Sequence, residues 1–398
     1  MLSYKFRVYP SGKQVIRLHR QMQLAKELYN ILLEKSKSHY KETGKTFSQF
    51  DMNKHIFQIK KDRPEFEAIH SQVAQNISKR IGDAYKAFFR RVKEKKSGKK
   101  VKVGFPRFKK FVSSLTYPQS GFKFISESRF YLSNIGSLPM VYHRVPKGDI
   151  KTCWIKQYPS GKWYIGLCND IQEEDFESNG KEGVGIDVGL TSFATLSNGE
   201  KIEAPQYLRK SEKKLKILCR RVSRKKKGSK NRKKARFRKA RLEEKIENQR
   251  FDFLHKLSFQ QVNSFGKIAI EKLQIQNMQC NHHLAKSIAD AGWGIYKNML
   301  HYKAQSAGCE VFDIDPKNTT KTCNNCGNIQ DMPLSKRIYN CPICGYKADR
   351  DLNASINILK RATVGLTGSY VCGDSSSTPL ARVEQGVSLK QKLNTVRT

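Results

Sequence analysis

The stretch from Cys323 to Ala354 reads CNNCGNIQDMPLSKRIYNCPICGYKADRDLNA and joins a cysteine-rich module to an acidic helix start. Its cysteines form two Cys-x-x-Cys pairs, each followed by a glycine: Cys323, Cys326, Cys341 and Cys344. Four thiolates at this spacing satisfy tetrahedral zinc and leave no open coordination position, so we predict one structural zinc ion in a ribbon over residues 320–345. A reduced loop without metal is the alternative. Because Asp349-Arg-Asp351 follows at once, we expect a nuclease-type carboxylate beside the ribbon.

The charge balance of the chain points to a polyanionic partner. Its 398 residues include 76 Lys and Arg against 35 Asp and Glu, a formal net charge of +41 at pH 7. Such an excess opposes compaction of an isolated chain, and a nucleic acid relieves it. The alternative is a basic protein without such a partner. No signal peptide opens the chain, no apolar run reaches membrane-spanning length, and the cysteines outside the ribbon are scattered, so we expect a cytoplasmic protein with no membrane partner.

Two kinds of periodicity divide the first half of the chain. An alternating opening strand is followed by helical spacing that begins after a candidate cap, Ser11. Short alternating runs return further along, and Pro159-Ser160-Gly161 predicts a hairpin turn between two of them. We therefore predict a small β-barrel or sandwich from residues 1–10 and 100–178, and a helical bundle over residues 11–99 as an insertion.

The second half of the chain has the pattern of an α/β domain. Residues 183–199, GVGIDVGLTSFATLSNG, predict an apolar strand that carries a single acid, Asp187, and leads into a hairpin. A long basic helical stretch, a strand ending at Glu271, further helix and strand, and a helix starting near Asp351 follow. This order matches an RNase H-like fold with an inserted zinc ribbon. The domain is assigned to residues 181–319 and 346–362, and a disordered tail to residues 363–398, where periodicity vanishes.

Three acids in apolar contexts, Asp187, Glu271 and Asp351, are the candidate catalytic residues. Buried carboxylates are costly unless they are neutralised or coordinated. Two divalent cations about 4 Å apart would remove their mutual repulsion and hydrolyse a phosphodiester. Taken singly, each acid has a structural alternative. Asp187 could serve a turn, Glu271 could pair with a lysine, and Asp351 could cap its helix. Asp349 competes with Asp351 for the metal, and we expect it to support the site from outside the ligand set.

The motifs of the chain resemble those of the TnpB proteins, which bacterial insertion sequences encode and which are compact relatives of type V CRISPR effectors. The specific ones lie in the second half, and the weaker ones near the start: Gly-Ile-Asp187-Val-Gly, Ile-Glu271-Lys-Leu, Thr319-Thr-Lys-Thr-Cys323, the two cysteine pairs, Asp349-Arg-Asp351-x-Asn-Ala, Tyr4-Lys-Phe-Arg-Val-Tyr-Pro, Leu28-Tyr-Asn30, Gly104-Phe-Pro-Arg-Phe108 and Cys372-Gly-Asp374. The resemblance covers nearly the whole chain.

This resemblance implies an RNA-guided DNA endonuclease of a transposon. A guide RNA from the transposon end would pair with double-stranded target DNA beside a short adjacent motif. The barrel would be the wedge domain, the bundle would hold RNA, and a RuvC-type domain would cut with two magnesium ions on Asp187, Glu271 and Asp351. Zinc would be structural, and the protein would work on nucleoid DNA in the bacterial cytoplasm.

Other functions stay open from the sequence. A miniature type V effector with a CRISPR-derived guide would share the chemistry and differ in the source of its RNA. An RNA-guided repressor would bind without cutting, which the three intact acids disfavour. A DNA-joining transposase of RNase H-like fold would work without RNA, and the inserted ribbon fits it less well.

Basic residues outside the acid site are candidate phosphate contacts. They comprise one arginine in the first half and six in the basic helical stretch: Arg107, Arg220, Arg221, Arg224, Arg232, Arg236 and Arg238. Aromatic residues interleave with Lys and Arg near the first of them: Phe105, Phe108, Tyr117, Phe122 and Phe124. These rings are predicted either to stack on bases or, for at least half of them, to fill the barrel core.

Overall fold

A computed structural model describes residues 2–170, 177–333 and 335–367. The chain divides into two compact units. The first comprises residues up to Glu177, Pro205–Ser258 and Ala289–Gly292. The second comprises Ser178–Ala204, Phe259–Ile288 and the described residues from Trp293 onward. No helix of the described ranges is long and apolar enough to cross a membrane.

The first unit contains a seven-stranded antiparallel sheet. Its strands are β1 (Leu2–Val8), β2 (Ser114–Tyr117), β3 (Phe122–Ser126), β4 (Arg129–Leu132), β5 (Gly136–Val141), β6 (Asp149–Gln157) and β7 (Trp163–Asp170). They are ordered β2-β6-β7-β1-β5-β4-β3. The predicted turn holds, since Gly161 adopts φ +86° between β6 and β7. The opening strand lies in the middle of the sheet and pairs with β7 along its length, which confirms that β1 completes this sheet.

Three helices lie between β1 and β2 in the sequence. They are α1 (Gly12–Thr43), α2 (Gln49–Asp62) and α3 (Ser71–Lys96). Ser11 caps α1 as predicted, in a capping box with Gln14. Their apolar stripes are buried and merge with the inner face of the sheet in one core, in which Leu28, Ile81 and Phe6 are fully enclosed. The bundle is therefore an insertion between sheet strands, as the sequence indicated.

The basic stretch forms a helical hairpin, α4 (Tyr207–Ser223) and α5 (Lys230–Ser264), with the break where the sequence placed it. Glu244 anchors α5 to the sheet: Tyr164 Oη donates to its Oε1 at 2.9 Å, and Lys162 Nζ lies 3.0 Å from its Oε2. Residues 205–258 thus group with the first unit. The sequence analysis had assigned these residues to the nuclease domain. An exposed basic helix has few buried residues, and their pattern does not indicate which unit they contact.

The second unit is built on a five-stranded mixed sheet. Its strands are β8 (Gly183–Val188), β9 (Ser192–Leu196), β10 (Lys201–Glu203), β11 (Lys267–Glu271) and β12 (Glu310–Ile314), in the order β10-β9-β8-β11-β12. The pairs β8–β11 and β11–β12 are parallel, and the other pairs are antiparallel. Helices α6 (Ile275–Met278), α7 (Ala285–Ala291) and α8 (Trp293–Ala304) follow β11 in the chain.

A small hairpin and a long helix complete the second unit. Strands β13 (Ile338–Asn340) and β14 (Lys347–Asp349) belong to the cysteine module, and α9 runs over Arg350–Thr367. Ala354, Ile358 and Ala362, each one helical turn apart, form the buried face of α9. The first five residues of the predicted tail, 363–367, belong to this helix, so the predicted start of the tail at Thr363 is wrong. The rest of that predicted tail, 368–398, lies outside the described residues.

Candidate functional site

The sheet of the second unit places two of the predicted acids side by side. Asp187 lies near the end of β8 and Glu271 ends β11. These strands are parallel, and Ile186 pairs with Ile270, so the two acids occupy the next position in register at the same sheet edge. Asp351 lies in the first turn of α9, the helix that packs on β8. The three sequence-predicted acids therefore belong to three adjoining elements.

The electrostatic environment of Asp187 reflects its burial and the two neighbouring acids. Asp187 keeps part of its surface exposed. Burial of its carboxyl, and then the negative charges of Glu271 and Asp351, raise the pKa of Asp187 well above its usual range. Arg350 opposes this shift. A carboxyl that is costly to ionise here becomes favourable to ionise when a cation binds beside it.

Glu271 is buried, and a hydroxyl holds it in place. Thr319 Oγ1 donates a 2.6 Å hydrogen bond to Glu271 Oε1, and both residues are less than a tenth exposed. Burial raises the pKa of Glu271, and the Thr319 hydrogen bond acts in the opposite direction. Sequence reasoning missed Thr319, although it had quoted the Thr319-Thr-Lys-Thr-Cys323 motif.

Asp349 and Asp351 have separate roles at the start of α9. The Oδ1 atom of Asp349 accepts the backbone N–H groups of Asp351 at 2.9 Å and of Leu352 at 3.2 Å, and its Oδ2 pairs with Lys201 Nζ at 2.7 Å. Burial works to raise the pKa of Asp349, but these hydrogen bonds outweigh it and the pKa is lowered. Asp349 is thus the helix cap.

Two arginines flank the carboxylate of Asp351. Arg350 donates to Oδ1 from Nε at 3.1 Å and from Nη2 at 2.9 Å, while Arg337 Nη1 lies 3.7 Å from Oδ2. Arg337 comes from the cysteine module and is half exposed, and its Nη2 donates to Thr191 Oγ1 at 3.4 Å. Only the fold reveals Arg337, because it stands in the sequence among residues without periodicity.

The four predicted cysteines converge on one point. Their sulfur atoms all lie within 4.8 Å of one another, with Cys323 Sγ 3.7 Å from Cys344 Sγ and Cys326 Sγ 3.5 Å from Cys341 Sγ. Zinc–sulfur bonds of about 2.3 Å place tetrahedral sulfurs about 3.8 Å apart. Gly327 and Gly345 take positive φ values of 78° and 69°, which let each loop turn back. This four-cysteine cluster can hold zinc.

Two asparagines one helical turn apart connect the cysteine module to α9. Asn353 Nδ2 donates to Thr322 O at 2.8 Å, and its Oδ1 accepts the backbone N–H of Asn324 at 3.0 Å. Asn357 Nδ2 donates to Thr319 O at 3.0 Å and to Thr322 O at 2.7 Å. Both side chains are buried. The segment from Thr319 to Asn324 is therefore bonded to Glu271 at one end and runs into the four-cysteine cluster at the other.

The candidate nucleic-acid contacts are at the surface, away from these acids in the chain. Six of the seven arginines are exposed and Arg232 is half-buried. None of the seven forms an ion pair with a residue in the described ranges. Of the five aromatic residues, Tyr117 is fully buried, Phe122 and Phe124 pack against the core, and Phe105 and Phe108 are exposed. The core reading is therefore correct for Tyr117, Phe122 and Phe124, and base stacking by the exposed rings stays a prediction.

Comparison with known proteins places the chain in a family. A relative from Streptomyces pristinaespiralis, named as a candidate RNA-guided DNA endonuclease, is 33% identical over 385 residues, covering 94% of this chain and 91% of the relative. The chain belongs to the TnpB family. A TnpB relative from Escherichia coli K12, also named as a candidate RNA-guided DNA endonuclease, is 30% identical over 417 residues, covering 98% and 96%. A "TnpB-like protein" of Acanthamoeba polyphaga mimivirus is 38% identical over 132 residues, covering 32% and 25%.

Family profiles match three parts of this TnpB chain. Residues 167–282 match a family described as "Probable transposase", residues 293–358 match "Cas12f1-like, TNB domain", and residues 1–45 match "Helix-turn-helix domain". The last description does not fit the local structure: within the described part of that range, β1 is followed by a single helix, α1, that runs to Thr43.

Proposed function

We propose that the protein is an RNA-guided DNA endonuclease of a transposon that cleaves double-stranded DNA beside a short adjacent motif. The observation that carries this proposal is the pairing of Asp187 and Glu271 at one sheet edge, with Asp351 close enough to shift the pKa of Asp187. The names of the full-length relatives support the same activity. The strand order of the second unit supports its assignment to an RNase H-like, RuvC-type nuclease domain.

The three acids are proposed to hold two magnesium ions. Carboxylate oxygens are the donors that magnesium prefers, and a cation beside Asp187 would favour its ionised form, which burial and the neighbouring acids Glu271 and Asp351 otherwise disfavour by raising its pKa. When bound, magnesium supplies an activated water and stabilises the leaving oxygen of the phosphodiester. Within the chain, Thr319 orients Glu271, and Arg350 and Arg337 hold Asp351. Arg337 is half exposed, and we propose that it contacts a backbone phosphate.

The zinc ion is proposed to be structural and one per chain. A guide RNA from the transposon end and duplex target DNA are the proposed partners, and the cytoplasm of a bacterium, at the nucleoid, is the proposed location. The net charge of +41 and the exposed arginines of α4 and α5 support polyanion binding. The wedge domain would comprise residues 1–10 and 100–178, and the recognition bundle residues 11–99.

The test of this function exchanges the guide. One plasmid target is incubated with protein and magnesium, in the presence of a matched guide, a mismatched guide or no RNA. We expect cleavage only with the matched guide and a new cut site when the guide segment is changed, provided that the adjacent motif is kept. Equal cutting in all three reactions would replace the proposal with a simple nuclease or a transposase.

A further inference from the structure

An extended segment of the first unit combines positive charge with exposed aromatic rings. Residues 97–113 lie between α3 and β2 and form neither helix nor strand. The surrounding stretch from Lys95 to Ser126 contains no Asp or Glu. Its basic residues are Lys95, Lys96, Lys99, Lys100, Lys102, Arg107, Lys109, Lys110 and Lys123. We name residues 99–111 the basic-aromatic segment.

The basic-aromatic segment is held in place by α1 and α3. Asn30 of α1 makes two hydrogen bonds to the backbone of Lys109: its Nδ2 donates to the carbonyl oxygen at 3.0 Å, and its Oδ1 accepts the N–H at 2.8 Å. The Phe105 ring stacks on Phe88 at 4.5 Å between centroids and meets Tyr40 edge-on at 5.6 Å. The backbone of the segment is therefore already ordered at these two points, which lowers the ordering cost of binding by its outward side chains.

Two rings of this segment remain turned outward. Phe108 is 50% exposed and Phe111 is 76% exposed. Lys37 Nζ lies over the face of Phe108, 4.4 Å from its centroid, so one ring already carries a cation at its surface. The exposed part of each phenyl ring contributes no apolar burial to folding. Exposed rings on a segment that lacks acidic residues are expected to bind a partner that carries both negative charge and flat apolar surface.

We propose that the basic-aromatic segment binds unpaired nucleotides of the guide RNA, with Phe108 and Phe111 stacking on bases and Arg107 contacting phosphate. This inference rests on the proposed function. Continuous duplex DNA has its bases already stacked on one another, so exposed rings offer it little. Unpaired bases have free faces, and an aromatic platform beside a basic groove is the usual way to hold them. An acidic protein surface would use the cations but would leave the rings without flat partners.

The test compares ring variants with a matched exposed phenylalanine. Phe108→Ala and Phe111→Ala are measured against Phe259→Ala, a ring that is 64% exposed on α5. The full-length protein, washed free of RNA at high salt, is titrated with single-stranded polyuridylate, whose bases are largely unstacked, and with its duplex with polyadenylate. We expect each ring variant to lose at least about fivefold in affinity for the single strand, with the duplex affected less. Asn30→Ala should also lose affinity although both rings are present.

Salt dependence separates the two kinds of contact. Arg107→Gln should reduce the slope of log affinity against log salt by about 0.7, while the ring variants should leave that slope unchanged. In the protein isolated with its own RNA, photocrosslinks should map to peptides that contain Phe108 or Phe111. If the wild type cuts under guide control but the ring variants behave like Phe259→Ala, this inference is wrong and the proposed function stands. If the rings instead control self-association in light scattering, the segment is a protein interface.

Discussion

Thr319 donates a 2.6 Å hydrogen bond to Glu271 inside the second unit, and the same threonine is bonded through its carbonyl oxygen to Asn357 of α9. One residue thus connects an acid at the end of β11 to the helix that begins beside Asp351. Since Asn353 continues the connection to Thr322, just before Cys323 of the four-cysteine cluster, hydrogen bonds connect Glu271 and the cysteine module through the same face of α9.

Loss of the Thr319 hydroxyl should weaken the site without unfolding it. Thr319→Val keeps the shape of the side chain but leaves Glu271 without its donor. We expect cleavage to fall about 10- to 100-fold, with more magnesium needed for half-maximal rate, as is typical when a residue that orients a metal ligand is replaced. Thr319→Ser should restore most of the rate. Equal magnesium dependence of Thr319→Val and the wild type would show that the hydroxyl only fills space.

The two aspartates at the start of α9 should behave differently. Asp351→Ala should abolish magnesium-dependent cleavage and leave guided DNA binding intact, as should Asp187→Ala and Glu271→Ala. Asp349→Ala removes a helix cap and the partner of Lys201, so it should cost about 1 kcal/mol of stability and leave part of the activity. The measurements are plasmid cleavage, gel-shift binding and thermal unfolding. Normal cutting by Asp351→Ala together with inactive Asp349→Ala would reverse the assignment.

Gly185 sets the distance between β8 and α9. A Cβ atom at this position would overlap the carbonyl oxygen of Ser355 and would lie 2.8 Å from the backbone nitrogen of Leu359. Backbone atoms cannot move aside as a flexible side chain can, so Gly185→Ala should cost about 1–3 kcal/mol in thermal or urea unfolding and should lower cleavage. Gly12→Ala is the control, because a Cβ there meets nothing within 4 Å. Unchanged stability of Gly185→Ala would refute this packing.

Removal of zinc should lower the activity of the acid site. We expect about one zinc per chain by elemental analysis, lost in Cys323→Ser. Because Asn353 bonds to the backbone on both sides of Cys323, the freed loop should lower both local stability and cleavage. Cys280→Ser is the matched control, an exposed cysteine outside the cluster. Carefully prepared protein that contains no zinc yet cuts at full rate would contradict this prediction.

The raised pKa of Asp187 predicts a pH-dependent stability without metal. The folded state retains the proton above the ordinary aspartate pKa of about 3.9, so it binds more protons than the unfolded state, and stability falls as pH rises through the interval between the two pKa values. In EDTA, Asp187→Asn should lack this contribution and become more stable than the wild type at neutral pH. Magnesium should reverse the order. If the melting temperatures of the two proteins in EDTA instead changed in parallel with pH, Asp187 would not have a raised pKa, and the prediction would be wrong.

Local features of the sequence were sufficient to predict the helices and strands and the residue types that could bind metal. The spacing of Cys323 and Cys326 defines a metal knuckle because ligand geometry there depends on neighbouring residues only. The alternation around Asp187 and the helical stripe of α9 likewise follow from backbone periodicity. Ser11 was predicted as a cap from its position between the opening strand and the helical pattern, and the structure adds its partner, Gln14.

Tertiary structure decided the relations that join residues distant in the chain. Asp349 caps α9 through the neighbouring N–H groups of Asp351 and Leu352, but only the tertiary structure brings Lys201, far away in sequence, to its other oxygen. Three further relations have no local signal in the sequence, because each depends on how separate elements pack. They are the grouping of residues 205–258 with the first unit, the approach of Arg337 to Asp351 and the hydrogen bond from Thr319 to Glu271. Sequence alone therefore determined which groups the protein carries, and packing determined which of them meet.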